Sequence, residues 1–247
     1  MGFGKSGQSS LEYLMLIAGA LLVVSTVAGL MFYMANNAKE NAQQSIDDLY
    51  EQMDSGSGGN KILLTDDFES GEMDSWTIVD EGNKGTPSKW RILNGELQQY
   101  SNIYHTPTSK LPADKLGTYA WTGESDWRDY TIYLNLRSTD NDAIGVMFRY
   151  KDGDNYYRFS MDRERKYRRL VKNVNGNFTI LAEDSVKYKL NQDYLLTIEA
   201  IGTNIKVSLD GEKIFEESDP GIPSGSIALY CWGNSGSYFD NILVERI

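Results

Sequence analysis

The stretch Ile132-Tyr133-Leu134-Asn135-Leu136 alternates aliphatic residues with Tyr and Asn at a period of two. Successive side chains of a strand point to opposite sides of a sheet, so this period is typical of a strand with one buried face. Residues 205–209 repeat it, with Ile, Val and Leu separated by Lys and Ser. No long helical period competes after residue 61, and the sequence predicts antiparallel β structure over 61–247.

Turn signals divide this region at short intervals, as they do in antiparallel sandwiches. They are rich in Gly, Asp and Asn, and comprise Asp152-Gly153-Asp154-Asn155, Asn175-Gly176-Asn177, Gly202-Thr203-Asn204 and Asp210-Gly211. Residues 61–247 are long enough for one large sandwich.

Four stretches of the predicted sandwich carry a resemblance to concanavalin A-like jelly rolls of the laminin G-like and laminarinase-type group. They are residues 66–69 with Trp76, Trp90 with residues 94–97, residues 145–150 followed by 154–159, and residues 238–244. The resemblance implies a jelly-roll head. This fold hosts lectins, adhesion modules and glycoside hydrolases, so it predicts a fold more than an activity.

Candidate ligand-binding residues are aromatic rings, which stack on the apolar faces of sugars, and planar side chains that bond to sugar hydroxyls. They are Trp121, Trp127, Arg149, Tyr156, Arg158, Asp162 and Trp232. The alternative for each of them is a structural role, with rings in the core and arginines over the sheet edges. Carbohydrate binding by the head follows as a hypothesis.

Three aspartates near the ends of the head match places where the resemblance implies a calcium ion that ties the first strand to the last. Asp66 and Asp67 lie near the start, and Asp240 lies near the end. Ca²⁺ takes six to eight oxygen ligands, and a clip of this kind suits a domain without disulfides. The alternative is that these aspartates cap turns. A separate sequence signal, Asn177-Phe178-Thr179, is an N-glycosylation sequon on a predicted turn.

Composition argues against most enzymes and against nucleic acid as a partner. The chain has one histidine, His105, one cysteine, Cys231, and a formal net charge of -11. No serine or cysteine motif accompanies the histidine, and no pair of acids spaced along a strand suggests a glycosidase; Glu124 and Asp126 are the nearest imitation. We therefore expect a protein that is not an enzyme and that binds no nucleic acid.

The first 35 residues contain an apolar run, Leu11–Ala35, whose only charged side chain is Glu12. As a helix, this run is long enough to cross a bilayer. A short leader with Lys5 precedes it, and the positive-inside rule keeps that leader cytoplasmic.

Four spaced residues at the start of this run, Gln8, Ser10, Glu12 and Leu16, follow Gly7. They resemble the class III signal of archaeal type IV pilin-like proteins. The resemblance implies that a prepilin peptidase cuts between Gly7 and Gln8, after storage of the subunit in the cell membrane. The new α-amine would pair with Glu12 as helices pack, because an isolated buried carboxylate is costly. The alternative places Glu12 at the membrane interface of a plain anchor.

The predicted organisation has four parts. They are a leader over residues 1–7, an assembly helix over 8–53, a Gly/Ser-rich hinge over 54–60 and a jelly-roll head over 61–247. The expected fold class is a long N-terminal α-helix followed by an all-β antiparallel sandwich. The expected function is a pilin-like subunit of an extracellular filament, partnered by other pilin subunits, with a head for adhesion. The alternatives are a membrane-anchored extracellular carbohydrate-binding protein that does not polymerise and, less favoured, an anchored glycoside hydrolase.

Overall fold

A computed structural model of the chain describes Glu40, Gln44, residues 61–106 and residues 113–247. Fifteen strands form in these ranges. They are β1 (Ile62–Asp66), β2 (Thr77–Asp80), β3 (Trp90–Leu93), β4 (Glu96–Gln99), β5 (Thr118–Thr122), β6 (Tyr130–Ser138), β7 (Ala143–Asp152), β8 (Asn155–Asp162), β9 (Tyr167–Val174), β10 (Asn177–Asp184), β11 (Tyr194–Ile201), β12 (Asn204–Leu209), β13 (Glu212–Ser218), β14 (Ser226–Trp232) and β15 (Ser237–Arg246).

The strands pair antiparallel in two sheets. The first sheet has the order β13-β12-β11-β6-β15-β4-β3, and β1 pairs with the second half of β15. The second sheet has the order β10-β9-β8-β7-β14-β5-β2. Neighbours in each order include strands that are distant in sequence, such as β7 and β14, as in a jelly-roll-like sandwich.

The hydrophobic core lies between the two sheets. Ile132, Leu134 and Leu136 of β6 are buried in it, which confirms the alternation predicted for this stretch. Phe159 of the second sheet meets Phe215 of the first edge to face, with ring centroids 6.4 Å apart. The inward side chains of both sheets are thus mainly apolar. A binding site on this sandwich would be formed by side chains that point outward.

The predicted turns are confirmed where two residues with positive φ connect neighbouring strands. Asn175 and Gly176 join β9 to β10 with φ of 50° and 74°, and Asp210 and Gly211 join β12 to β13 with φ of 50° and 79°. A two-residue hairpin of this type needs positive φ at both positions, which Asn, Asp and Gly tolerate best.

The predicted fold class is corrected to an all-β antiparallel sandwich. Apart from Glu40 and Gln44, which are helical, the described part of the chain is made of strands and their connections. Its period-two patterns let the two sheets bury each other without a helix. No described helix is long and apolar enough to span a membrane. The predictions for Gly7, Gln8, Ser10, Glu12 and Leu16 and for the leader, assembly helix and hinge lie outside the described residues.

Candidate functional site

The outer face of the second sheet is aromatic and polar, unlike its inner face. In β8, Tyr157, Phe159 and Met161 point into the core, so Tyr156 and Arg158 lie on the outer face. The strand register places further residues beside them on the neighbouring strands. We call the aromatic members of this surface the aromatic face: Tyr119, Trp121, Tyr150, Tyr156, Phe178, Tyr230 and Trp232.

A row of rings crosses the aromatic face from β5 to β10. Ring centroids are 5.7 Å apart for Trp121 and Tyr150, 6.3 Å for Tyr150 and Tyr156, and 6.3 Å for Tyr156 and Phe178. Ala228 of β14 pairs with Trp121, and its small side chain leaves room for the rings on either side. Trp121 and Phe178 are partly exposed at the two ends, whereas Tyr156 is fully buried. A ligand can therefore reach the row from its rims.

A buried ion pair anchors the other half of the aromatic face. Lys115 Nζ lies 2.7 Å from Asp162 Oδ2, with both side chains almost fully buried. Lys115 also lies 4.1 Å from the centre of the Trp232 ring, and the Arg165 guanidinium lies 4.6 Å from it. Burial lowers the pKa of Lys115 to about 8, and the Asp162 carboxylate opposes that shift. This half is thus rigid and charged.

Arg158 ties the connection before β5 to the aromatic face. Its guanidinium lies over the Tyr230 ring at 4.5 Å and donates to the carbonyl oxygens of Lys115 and Ala113. Its Nε, which is buried, has no hydrogen-bond partner among the residues that the structure describes. The indole Nε1 of Trp232 is buried and unpartnered in the same sense. These buried N–H groups thus lack the hydrogen-bond partner that buried donors in native proteins usually have.

Glu81 follows β2 and lies among the tyrosines of the aromatic face. Its Oε2 is buried and has no partner within the described ranges. Burial raises the pKa of Glu81 to about 7, while the positive charge of Arg158 opposes the shift and Asp154 adds to it. The pKa values of Tyr119 and Tyr156 are raised above 10, mainly by burial, so these phenols stay neutral. Glu81 and Lys115 are thus the groups on this face whose protonation changes near neutral pH.

The Glu81→Gln variant is expected to gain stability relative to the wild type as pH rises. Because the pKa of Glu81 is raised on folding, its stabilising contribution is complete below about pH 4.5 and is lost as pH rises through about 7. One pKa unit corresponds to about 1.4 kcal/mol, so the stability difference between variant and wild type should change by roughly 2–4 kcal/mol at most. Urea unfolding of both proteins at pH 4.5, 6 and 8 measures it, and parallel pH profiles would contradict the expectation.

Five of the seven residues predicted to bind ligand lie together on the outer face of the second sheet: Trp121, Tyr156, Arg158, Asp162 and Trp232. The other two do not. Trp127 is buried in the core beside Tyr130, with ring centroids 6.3 Å apart. Arg149 has a φ of 46° at a break in the β7 register, and its side chain points to the end of the sandwich, where it donates to Ile222 O.

Sequence reasoning missed several members of the site. Tyr119 lies two residues before Trp121, so the period of a strand could have found it. Tyr150 follows the irregular position Arg149, and its facing depends on that bulge. Glu81 and Lys115 lie in connections between strands, where no periodic pattern reports which way a side chain points.

The predicted metal ligands act mainly as turn residues in the structure. Asp66 accepts from the N–H of Phe68 and, at 2.7 Å, from Trp76 Nε1, and Asp67 accepts from the N–H of Glu69. These contacts match the turn-capping alternative. No group of three or more His, Cys, Asp or Glu within the described ranges is placed to hold a metal ion. Calcium stays a prediction, which melting with and without EDTA tests.

Asp240 nevertheless lies in an acidic environment. Burial raises its pKa to about 6, and the nearby carboxylates of Glu96, Asp67 and Glu69 add to the shift. Asp67 and Asp240 are therefore close enough to interact electrostatically, as their assignment to one site requires. Asn177, the predicted glycosylation residue, is exposed as the first residue of β10. Its modification also stays a prediction.

Comparison with known proteins identifies a carbohydrate-related family. Residues 64–245 match the family described as a 3-keto-alpha-glucoside-1,2-lyase-like domain. A levanase of Bacillus subtilis strain 168 is 27% identical over 121 residues, which make up 47% of this chain and 18% of the levanase. The chain thus spans less than a fifth of the length of this relative.

Solved structures with the same fold include two from Bacillus subtilis. The carbohydrate-binding module CBM66 is 22% identical, with a TM-score of 0.56 over 70% of this chain and 97% of the module. A protein of unknown function with a galectin-like fold is 12% identical, with a TM-score of 0.55 over 75% of this chain and 96% of that protein. These likenesses show the sandwich fold.

The family match corrects the recognition of the chain as an archaeal type IV pilin-like protein. That recognition rested on spaced residues between Gly7 and Leu16, which lie outside the matched range of 64–245. The filament subunits and the prepilin peptidase that it implied as partners are withdrawn with it. The predicted jelly-roll head, residues 61–247, by contrast contains the whole matched range.

Proposed function

The chain belongs to the family of 3-keto-alpha-glucoside-1,2-lyase-like domains, and we propose that its sandwich binds a carbohydrate across the aromatic face. The observation that carries this proposal is the row of rings from Trp121 to Phe178 beside buried polar atoms without partners among the described residues. This proposal takes up the sugar-binding alternative of the sequence analysis. A polysaccharide outside the cell is the proposed partner.

The chemistry of the aromatic face suits a sugar ring. Sugars present apolar C–H faces that stack on aromatic rings, and their hydroxyls both donate and accept hydrogen bonds. Trp121 supplies a ring at the accessible rim with Tyr150 packed behind it, and Glu81 supplies an acceptor near Tyr150 when it is ionised. Buried polar groups are usually partnered in native proteins, so the open positions on Glu81, Arg158 and Trp232 favour a polar ligand.

We propose that the site binds its ligand without cleaving it. A typical glycosidase uses two carboxylates that flank the bond. Both oxygens of Asp162 are occupied, Oδ2 by Lys115 and Oδ1 by the backbone N–H of Arg165. Asp162 is therefore held as a structural group. It is not available to act with Glu81 as the second carboxylate of a glycosidase.

Bond cleavage with Glu81 as an acid or base is the second candidate function. The observation that favours it is the pKa of Glu81, raised to about 7, because a catalytic acid or base works best when its pKa is near the working pH. Incubating the protein with glycans and analysing the products by mass spectrometry separates the two candidates. Products that the Glu81→Gln variant fails to form would establish cleavage, whereas binding without products supports the first candidate.

Binding is tested by affinity electrophoresis and calorimetry on a panel of polysaccharides that includes levan, the polymer from which levanase takes its name. We expect at least one polysaccharide to retard the folded protein in the gel and to release heat in a saturable titration. Levan is included because of the 27% identity to a levanase. If no polysaccharide of the panel is bound by protein that unfolds cooperatively, the proposed function is wrong.

A further inference from the structure

A second site lies at one end of the sandwich, away from the aromatic face. A cavity of about 230 Å³ opens there between the segment before β6, the β11–β12 turn and the segment after β13. Its lining includes Arg128, Arg149, Thr203 and Pro223. Pockets for drug-sized ligands occupy roughly 300–1,000 Å³, so this cavity suits a smaller ligand.

Arg149 forms the buried base of this cavity. Its side chain is 1% exposed, whereas Arg128, Thr203 and Pro223 are exposed at the surface. The guanidinium donates to two carbonyl oxygens, Ile222 O at 3.0 Å and Gly202 O at 2.8 Å. Its Nε is buried and has no partner among the described residues. The fork of the guanidinium is thus only partly used by the protein.

The charge of Arg149 has no carboxylate partner in the described part of the chain. All eleven ion pairs among the described residues involve other arginines and lysines, and none of them includes Arg149. Asp129 lines the same cavity, but its Oδ1 accepts from the backbone N–H of Gly202. Buried guanidinium groups are costly unless paired, so this environment favours an anion from outside the chain.

The backbone of Arg149 adopts a strained conformation at this position. Its φ of 46° is uncommon for a residue with a side chain, and such conformations persist where the surrounding structure imposes them, often at functional sites. The Arg149 N–H donates to the Tyr130 hydroxyl at 2.7 Å, and that hydroxyl donates to Gly225 O. The bulge directs the guanidinium into the end of the sandwich rather than across the outer face of the second sheet.

We propose that this cavity binds a small oxyanion, a phosphate, sulfate or carboxylate group, on the guanidinium of Arg149 with Arg128 at the rim. Guanidinium groups bind such oxyanions through parallel N–H donors, and the Nε of Arg149 has no partner among the described residues. Arg128 adds a second positive charge at the opening. The cavity shares no residue with the aromatic face, so failure of either proposal leaves the other unaffected.

Thermal melting of the full chain in sodium phosphate, sodium sulfate or sodium glucuronate, each against sodium chloride of equal ionic strength, tests this proposal. At least one oxyanion should raise the melting midpoint in a saturable manner. Response to phosphate and sulfate alone identifies a tetrahedral ion as the ligand, and response to glucuronate identifies the carboxylate of an acidic sugar. Equal midpoints in the oxyanion salts and in chloride overturn the proposal.

Variants and a direct spectroscopic signal locate the ion. Arg128→Gln should weaken the apparent affinity roughly two- to fivefold, as expected for an exposed charge. Arg91→Gln removes the same charge from an exposed position on β3 and should leave the affinity unchanged. The Nε–Hε resonance of Arg149 in a ¹H–¹⁵N spectrum should shift as the oxyanion is added to the wild type. An unshifted Arg149 signal, or equal effects of the two variants, overturns the assignment to this cavity.

Discussion

Trp121→Ala is expected to weaken glycan binding by about 30-fold or more, equivalent to about 2 kcal/mol or more of binding free energy. The ring of Trp121 is partly exposed and stands at the end of the aromatic row, 5.7 Å from Tyr150. Its removal deletes a stacking surface at the rim by which a ligand enters. Calorimetric titration with the polysaccharide that binds the wild type measures the effect.

Tyr238→Ala is the matched control for this prediction. Tyr238 is also partly exposed, but it belongs to β15 on the outer face of the first sheet, under the guanidinium of Arg137. Its replacement removes an aromatic ring of similar exposure without touching the aromatic face, so affinity should stay within about twofold of the wild type. Equal losses from the two variants would place the ligand elsewhere or reflect a general loss of structure, which urea unfolding would reveal.

Asp162→Ala is expected to destabilise the fold by roughly 3–5 kcal/mol. The change leaves Lys115, which is almost fully buried, without the carboxylate that lies 2.7 Å from its Nζ. Arg165 loses one acidic partner as well but keeps Asp142. Urea unfolding at pH 7 measures the difference, and a large part of the loss should return when Lys115 is also replaced by Met, since the uncompensated charge is then removed.

An exposed ion pair provides the comparison. Lys213 and Glu216 lie 2.6 Å apart with about half of each side chain exposed. Lys213→Ala should therefore change the free energy of unfolding far less than Asp162→Ala does. If Asp162→Ala and Lys213→Ala lower the free energy of unfolding equally, the buried pair of Lys115 and Asp162 does not stabilise the connection before β5.

The sandwich could be predicted because its signals are local. The alternation in β6 and β12 reports which side chains are buried, and the Asn-Gly and Asp-Gly pairs at 175–176 and 210–211 report where hairpins turn. Each signal is read from a few neighbouring residues. The order of the strands in the two sheets depends on contacts distant in sequence, and only the resemblance to jelly rolls pointed to it.

The candidate site could be predicted in part for the same reason. Tyr156 and Arg158 follow the period of β8, and the structure places them on one face. Arg149 breaks that rule because a bulge with positive φ turns it toward the end of the sandwich. Glu81 and Lys115 come from connections, and their position depends on how those connections cross the sheet.

The short N-terminal motif predicts a family different from the one that the chain matches. Gln8, Ser10, Glu12 and Leu16 form a short motif that predicts pilin-like assembly for the whole chain. The family match covers residues 64–245, the range in which the sequence resembles concanavalin A-like jelly rolls and sugar binding is a hypothesis. A long, weakly patterned domain was a better guide to family than a short, strongly patterned segment.

The indole signals of the five tryptophans test the central claim most directly. Each indole N–H gives one peak in a ¹H–¹⁵N spectrum. In a titration with the bound glycan, the peaks of Trp121 and Trp232 should shift, because both lie on the aromatic face and Trp232 Nε1 is free of described partners. Trp76 and Trp90, whose Nε1 atoms donate to Asp66 and Ser88, should not shift. Shifts confined to Trp76 and Trp90 would contradict the proposed site.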